Sequence, residues 1–386
     1  MERESTNFAT RARPLRLTLV GPTPPLRGGI AHYTTALVRA LRPHHQVQVV
    51  GLRRQYPKWF FPGTTEVDRS AVPLAMDADV VVDPLLPTSW PAAARAIAAH
   101  QPDAIVMAWW QPALGAVLAS FVRYAQRRCS TRVIFLCHNV GAHDATPLDR
   151  WLTRYGLRTC DAVIAHSDSD ARQVARVHPR ARVVRTTHPA YDLPEFGAAL
   201  DSASARAQLG LAGDVLLFFG LIRRYKGLTD VIAALPRIRQ HRDCTLLVAG
   251  EFYEPRAHYD AQIEALGLSE HVRLCDAYVP NEQVGVYFSA ADMILAPYRR
   301  ATQSSVVAVA QQFQRPVIVS RVGGLRDMIE EGVTGLSVPP TDPDALATAV
   351  LRIYDEGLDT WRARVQQARV TTWAEERDAI ERLAAP

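Results

Sequence analysis

One pattern runs twice through this 386-residue chain. Short apolar, β-rich runs alternate with helix-like segments, and after a break near residue 190 the alternation starts again. In the first half the runs fall at 15–20, 47–50, 104–107, 132–136, 162–165 and 182–185, with helix-like stretches such as 32–42 and 91–100 between them. In the second half they fall at 215–219, 245–249, 272–274, 293–296, 317–320 and 335–338, separated by helical patterns at 227–241, 259–266, 282–290, 305–314 and 325–331. A strand that is apolar along its whole length is buried on both faces, and such strands joined by helices build parallel, doubly wound sheets. The expected fold class is therefore α/β, with two Rossmann-like domains at 14–192 and 193–366 behind a flexible arm at 1–13. Pro189 and Pro194 punctuate the boundary. Open sheets of this kind bind ligands beyond the C-terminal ends of their strands, so the cleft between the two domains is the expected site.

Composition excludes several classes. Hydrophobic residues at 48% and charged residues at 22% are ordinary for a globular protein. No run approaches the roughly 18–20 apolar residues of a membrane span, and residues 1–13 lack the apolar core of a signal peptide, so a cytoplasmic protein is expected. Cys129, Cys137, Cys160, Cys244 and Cys275 show no metal-type spacing. Charge is uneven: residues 1–190 carry 24 basic and 13 acidic residues, a balance of +11, and the remainder −6, which together give the net +5. A basic first half suits an anionic partner, or reflects a generally arginine-rich composition. Only Lys58 and Lys226 among the 44 basic residues are lysine. A compact ammonium is a different ligand from a planar guanidinium, which singles out Lys226.

Chemistry-bearing residues gather at strand ends. Gly28 and Gly29 follow the first strand and precede a helix, an arrangement that suits either a tight turn or close approach to a phosphate. No G-x-G-x-x-G follows, which counts against a dinucleotide oxidoreductase. His138 directly follows a strand and is expected to project into the cleft, where it would bond a hydroxyl or phosphate oxygen; a strand-end histidine satisfied by backbone gives the same signal. His143 and Asp144 on the same loop could shape an acceptor site. In LLFFGLIRRYKGL, Gly220 ends a strand, and Arg223, Arg224 and Lys226 precede a helix that opens at Gly227, a grouping suited to a diphosphate. Arg53, Arg54, Tyr56, Lys58, Trp59 and Phe60, with Trp109 and Trp110, either face an anionic glycan acceptor or, for the two tryptophans, sit in the core.

These segments, with LLVAGE, YVPNEQVGVYFSAADMILAPYR, ATQSSVV and RPVIVSRVGGLRDMIEEGVTGLSVPP, resemble the family 4 glycosyltransferases of the GT-B fold. GPTPPLRGGI and CHNV extend the resemblance to the first domain, so it spans nearly the whole chain. It implies two facing Rossmann-like domains, with residues 367–386 forming a helix that crosses back onto the first. It implies that Lys226 holds the donor diphosphate, with Arg223 or Arg224 replacing the family arginine whose place Leu221 takes. Gly28 and Gly29 would approach the same diphosphate, and His138 the donor sugar. Gly220 and Glu251 would line the donor site. The segment 276–279, including Tyr278 and Val279, would hold the nucleobase. The family's Glu-x7-Glu falls on Ala301 and Val309, so both carboxylates are missing. Thr302, Gln303, Ser304 and Ser305 stand there instead; Ser304 and Ser305, with their backbone N–H groups, could bind phosphate, and Gln303 or Thr302 could contact sugar hydroxyls.

The implied activity is retaining, metal-independent transfer of a hexose-type sugar from a nucleotide sugar, with UDP- and GDP-sugars favoured over ADP-sugars and no cofactor. The acceptor would be a glycan, a lipid-linked molecule or a small molecule, with peripheral contact to an anionic membrane through the basic half. Two rivals remain: an inactive sugar-nucleotide-binding relative, which fits the missing carboxylates, and a nucleotide-sugar epimerase, which needs a pair of acid/base groups not assignable here. A nucleic-acid-binding role is not expected, because no recognisable module accompanies the basic residues.

Overall fold

The computed structural model describes residues 13–55, 63–141, 146–368 and 371–385. Among these, seven strands form the first sheet: β1 (Arg16–Gly21), β2 (Gln46–Leu52), β3 (Asp79–Val82), β4 (Ala104–Trp109), β5 (Arg132–Cys137), β6 (Ala162–Ala165) and β7 (Arg182–Arg185). They are parallel throughout, in the order β3-β2-β1-β4-β5-β6-β7. The connecting helices are α1 (Gly29–Leu41), α2 (Trp90–His100), α3 (Pro112–Gln126), α4 (Pro147–Leu157) and α5 (Asp168–Val177). All six residues of β4 are buried, as a central strand covered by helices on both faces requires. The edge strand β3 escapes the sequence reading because it is short, half exposed and begins at an aspartate.

The second sheet is also parallel. It contains β8 (Asp214–Phe219), β9 (Cys244–Ala249), β10 (Val272–Cys275), β11 (Met293–Ala296), β12 (Val317–Ser320) and β13 (Gly335–Val338), in the order β10-β9-β8-β11-β12-β13. Around it lie α6 (Ser202–Leu209), α7 (Leu228–Arg239), α8 (Ala257–Ala265), α9 (Asn281–Ala290), α10 (Ser305–Gln312), α11 (Pro343–Glu356) and α12 (Leu358–Gln367). The helix expected over 325–331 is instead a single 3-10 turn at Arg326–Met328. The Gly323–Gly324 corner ahead of it packs on the carbonyls of Ala301 and Thr302, and Glu331 is drawn into a bridge with Gly335, so no room remains for further turns.

The last helix, α13 (Trp373–Ala384), packs on α1 of the first domain. There the Tyr33 hydroxyl donates to the fully buried carboxyl of Glu376. Residues 63–72, after β2, lean in the opposite direction onto the second domain. Ser70 Oγ accepts from the Asn281 N–H at 2.8 Å, Asp68 accepts from the Asn281 amide at 2.7 Å, and the Glu282 carboxylate accepts from the N–H groups of Ala71 and Val72. Four described cysteines are buried, Cys275 is half-buried, and all five are free thiols. No described helix is long and apolar enough to cross a membrane.

Candidate functional site

The C-terminal ends of both sheets open onto the interdomain cleft, where two adjoining chambers share Lys226, Ser305 and Val306 as a common wall. The first chamber is largely apolar. Phe219, Tyr278, Val279 and Val309 line it from the second domain, and Gly28, Gly29 and His32 from the first. The second is polar, lined by Asn139, Arg223, Thr302, Gln303 and Ser304.

Lys226 reaches this wall from a 3-10 turn, Arg224–Lys226, that leads into α7. The turn closes on Gly227, whose φ of +76° and whose approach to the Pro297 carbonyl leave no space for a Cβ. The ammonium is buried and lies 5.4 Å from the centre of the Tyr298 ring. Burial, reinforced by Arg223 nearby, lowers its pKa to about 7. Among the described residues no carboxylate is in ion-pair contact with it. Arg223 is half-buried, with its guanidinium 4.8 Å from the centre of the Tyr253 ring. Opposite stands the N-terminus of α10, preceded by Ser304, whose hydroxyl makes no capping bond and lies 3.2 Å from that of Tyr298. An unpaired buried cation, a second cation and the free N–H groups of a helix start converge on one wall, which is the chemistry that binds a diphosphate.

The first-domain glycines sit against that wall. A Cβ on Gly29 would come within 3.0 Å of Ser305 Oγ, while Gly28 has open space in front of it. Glu251 lines the apolar chamber, but its carboxylate is taken by Arg27 and by the Thr64 N–H, both from the first domain. Tyr278 lies beneath the Arg27 guanidinium, 4.6 Å from ring centre to Cζ, and Val279 is buried beside it. Gly220, with φ of +92°, borders Lys226.

Several expectations require correction. Arg224 is exposed and lines neither chamber; the turn that buries Lys226 at its end leaves Arg224 at its start facing outward. The His138 imidazole does not project into the cleft. It packs edge-on against Tyr33, ring centres 4.7 Å apart, and beside His166, with its pKa lowered to about 3 by burial. What His138 offers the cleft is its carbonyl, which accepts from Thr302 Oγ1 at 3.1 Å and from Gln303 Nε2 at 2.8 Å. Trp109 and Trp110 are core residues. Trp109 stacks on Phe135 and donates its indole N–H to the Val140 carbonyl, because Gly115 and Gly156 leave a slot that only an unsubstituted backbone permits. Trp110 is 7% exposed within the same core. His143, Asp144, Tyr56, Lys58, Trp59 and Phe60 lie outside the described residues.

Arg27, His32 and Asn139 belong to the site and were not singled out from sequence. Each adjoins a motif that was, Arg27 preceding the glycines and Asn139 following His138. Burial lowers the His32 pKa to about 4, so it meets a ligand as a neutral imidazole. Among the described residues no group of three or more His, Cys, Asp and Glu is arranged to hold a metal.

Comparison with known proteins agrees with the two-domain fold. Residues 28–190 match the family described as a glycosyl transferase 4-like domain, and residues 213–356 match glycosyl transferases group 1. The chain is 31% identical over 245 residues to D-inositol 3-phosphate glycosyltransferase 1 of Catenulispora acidiphila, covering 59% of this chain and 57% of that protein. It is 29% identical over 219 residues to the alpha-D-kanosaminyltransferase of Streptomyces kanamyceticus, covering 54% and 55%. The chain thus spans little more than half the length of these curated relatives. In fold it is similar to a sucrose-phosphate synthase from Thermosynechococcus elongatus, with a TM-score of 0.70 at 21% identity over 96% of this chain and 98% of that one. It is equally similar to the Anabaena protein HepE solved in complex with UDP, with a TM-score of 0.70 at 16% identity over 95% and 98%.

Proposed function

The chain belongs to the group 1 glycosyltransferases of the GT-B fold, and on that premise we propose that it transfers a sugar from a nucleoside diphosphate sugar to an acceptor hydroxyl, with retention at the anomeric carbon and without a metal ion. The observation that carries this reading is Lys226, a buried cation without a carboxylate partner among the described residues, set between the two chambers beside Arg223 and the start of α10. The apolar chamber takes the nucleoside, the shared wall the diphosphate, and the polar chamber the sugar. A UDP- or GDP-sugar is the favoured donor class.

In the transfer, the bond between the anomeric carbon and the phosphate oxygen breaks as the acceptor oxygen bonds to the same carbon from the same face. The acceptor proton passes to the departing phosphate oxygen. The protein's contribution is positioning and stabilisation of negative charge on the leaving group by Lys226, Arg223 and the α10 N–H groups. A glycan, lipid-linked or small-molecule acceptor reaches the polar chamber from the first-domain side. Peripheral contact with an anionic membrane is supported by the basic first half and by Leu148 and Trp151, which stand exposed on α4.

A second reading, an inactive nucleotide-sugar-binding relative, is favoured by Ala301 and Val309, both buried where the family resemblance places carboxylates. One screen separates the two: slow hydrolysis of UDP-, GDP- and ADP-linked sugars in the presence of EDTA. Release of free sugar from one donor class supports the transferase. Binding without any release, with or without added magnesium, supports the inactive relative, and activity that appears only with magnesium contradicts the metal-free reaction.

A further inference from the structure

A further cavity lies at the hinge. Both crossings between the domains line it, residues 190–192 on the way out and 371–373 on the way back. The two crossings are tied together by the Ala190 N–H, which donates to the Thr371 carbonyl at 3.2 Å. The last turns of α10 and α12 close the cavity from the second domain through Gln311, Gln312 and Gln366. Its volume is about 370 Å³, within the roughly 300–1,000 Å³ of small-molecule pockets. Ser305, at the start of α10, belongs to the wall of the cleft, so the two sites lie about 10 Å apart along that helix. Tyr191 is the partition between them: it lines both, and its hydroxyl donates to the Gly29 carbonyl at 3.0 Å. The lining is polar without being cationic. In a chain with 44 basic residues none lines this cavity, and Asp192 is its one charged residue among those described. Four glutamine amides, two threonine hydroxyls and the half-buried Trp373 indole accompany it.

We infer that this hinge cavity binds a neutral, polyhydroxylated ligand, a mono- or disaccharide, at a site separate from the cleft. A carboxylate and several amides satisfy hydroxyl groups as acceptors and donors, and an aromatic ring packs against the apolar face of a pyranose. With no cation to meet a phosphate, the same lining disfavours a sugar phosphate, which sets its ligand apart from a nucleotide sugar. Because both crossings form its walls, a bound sugar bridges the two segments that join the domains.

The test is a ligand-observed NMR titration of wild type, Asp192→Ala, Gln366→Trp and Thr302→Ala with glucose, maltose and glucose 6-phosphate. Asp192 and Gln366 are exposed, so neither substitution is expected to lower the melting midpoint. Wild type is expected to bind glucose and maltose, and to bind glucose 6-phosphate at least about fivefold more weakly. Asp192→Ala removes a charged acceptor and is expected to weaken the neutral sugars about tenfold. Gln366→Trp fills the cavity and is expected to abolish their binding. Thr302→Ala, in the polar chamber of the cleft, is expected to bind them like wild type. Saturating UDP is expected to leave the maltose signal in place. A wild type that binds neither neutral sugar, binding that survives both hinge substitutions, or displacement of maltose by UDP overturns the hinge site. Tighter binding of glucose 6-phosphate than of glucose overturns the neutral ligand class.

Discussion

Arg27 of the first domain and Glu251 of the second form an ion pair across the cleft, with 5% and 7% of their side-chain surfaces exposed. Burial alone would push the Glu251 carboxyl up, but the Thr64 N–H and Arg27 outweigh it and hold it below its ordinary range. Removing one partner strands the other charge, at a cost of about 3–5 kcal/mol. Arg27→Leu should therefore lower the thermal midpoint, and Arg27→Leu with Glu251→Gln should recover most of the loss. Scanning calorimetry of the single and double variants checks this; a single variant that melts like wild type would show that the pair does not hold the domains together.

Gly29 touches Ser305 across the same cleft, and a Cβ there would lie 3.0 Å from Ser305 Oγ and 3.2 Å from its Cβ. Gly29→Val should hold the wall apart by roughly an ångström, enough to reduce turnover about 100-fold. Its effect on the melting midpoint should be small, because the added bulk enters a cleft rather than a packed core. Gly29→Val with Ser305→Gly should restore part of the activity. Full activity in the single variant would show that the reacting geometry does not depend on this contact.

The seam under α13 titrates. Burial raises the Glu376 carboxyl to about 7, against the opposing hydrogen bonds from Tyr33 and Thr186. His166 Nε2 lies 3.3 Å from the same oxygen, without hydrogen-bond alignment. His138 and His188 complete the cluster with pKa values near 3 and 4, and His166 is also well below its ordinary value; burial is the leading cause in each case. Glu375 and Arg185 are the further charges facing it. Glu376 binds its proton more tightly folded than unfolded, so its contribution is complete below about 4.5 and is lost as pH rises through about 7. The imidazoles act oppositely: they favour the fold above about 6.5, and that contribution is lost as pH falls toward 3–4. Between about pH 4.5 and 6.5 the two act against each other and the imidazoles outweigh the single carboxyl, so stability should peak near pH 6.5, with under about 1 kcal/mol of the Glu376 loss left to fall above it. Glu376→Gln should steepen the rise below about pH 6.5 and remove the shallow decline above it. Melting curves from about pH 4 to 8 decide it, and an unchanged profile in the variant would remove Glu376 as a contributor.

Much of this architecture was legible because a strand buried on both faces leaves an uninterrupted apolar run. The strands at 162–165, 182–185, 293–296, 317–320 and 335–338 lie where those runs end and begin. β3 was not legible, since a half-exposed edge strand carries no such run. Lys226 was legible through its rarity in an arginine-rich chain. The separation of Arg223 from Arg224 was not, because Arg223 is extended and Arg224 opens the 3-10 turn, a break that the sequence does not record. Nor was the inward imidazole of His138, which depends on Tyr33, His166 and Glu376 meeting from distant parts of the chain. Trp109 gives the same strand-end signal whether it faces a ligand or a core, and only Gly115 and Gly156 beside it decide the matter.

Under the proposed function Lys226 holds the donor diphosphate, with no carboxylate partner among the described residues to compete for it. Its pKa near 7 makes that role titratable. An anion that binds the charged form should bind more weakly as pH rises past 7, by up to about tenfold per unit, with uptake of a proton on binding. The measurement is calorimetric titration of UDP-glucose and GDP-mannose, whose esterified diphosphate does not titrate in this range, at pH 6 and pH 8.5 with wild type, Lys226→Arg and Lys226→Met. Wild type should bind more tightly at pH 6, Lys226→Arg should show a flattened dependence, and Lys226→Met should lose most of its affinity. Equal affinity in wild type and Lys226→Met would remove Lys226 from the donor site.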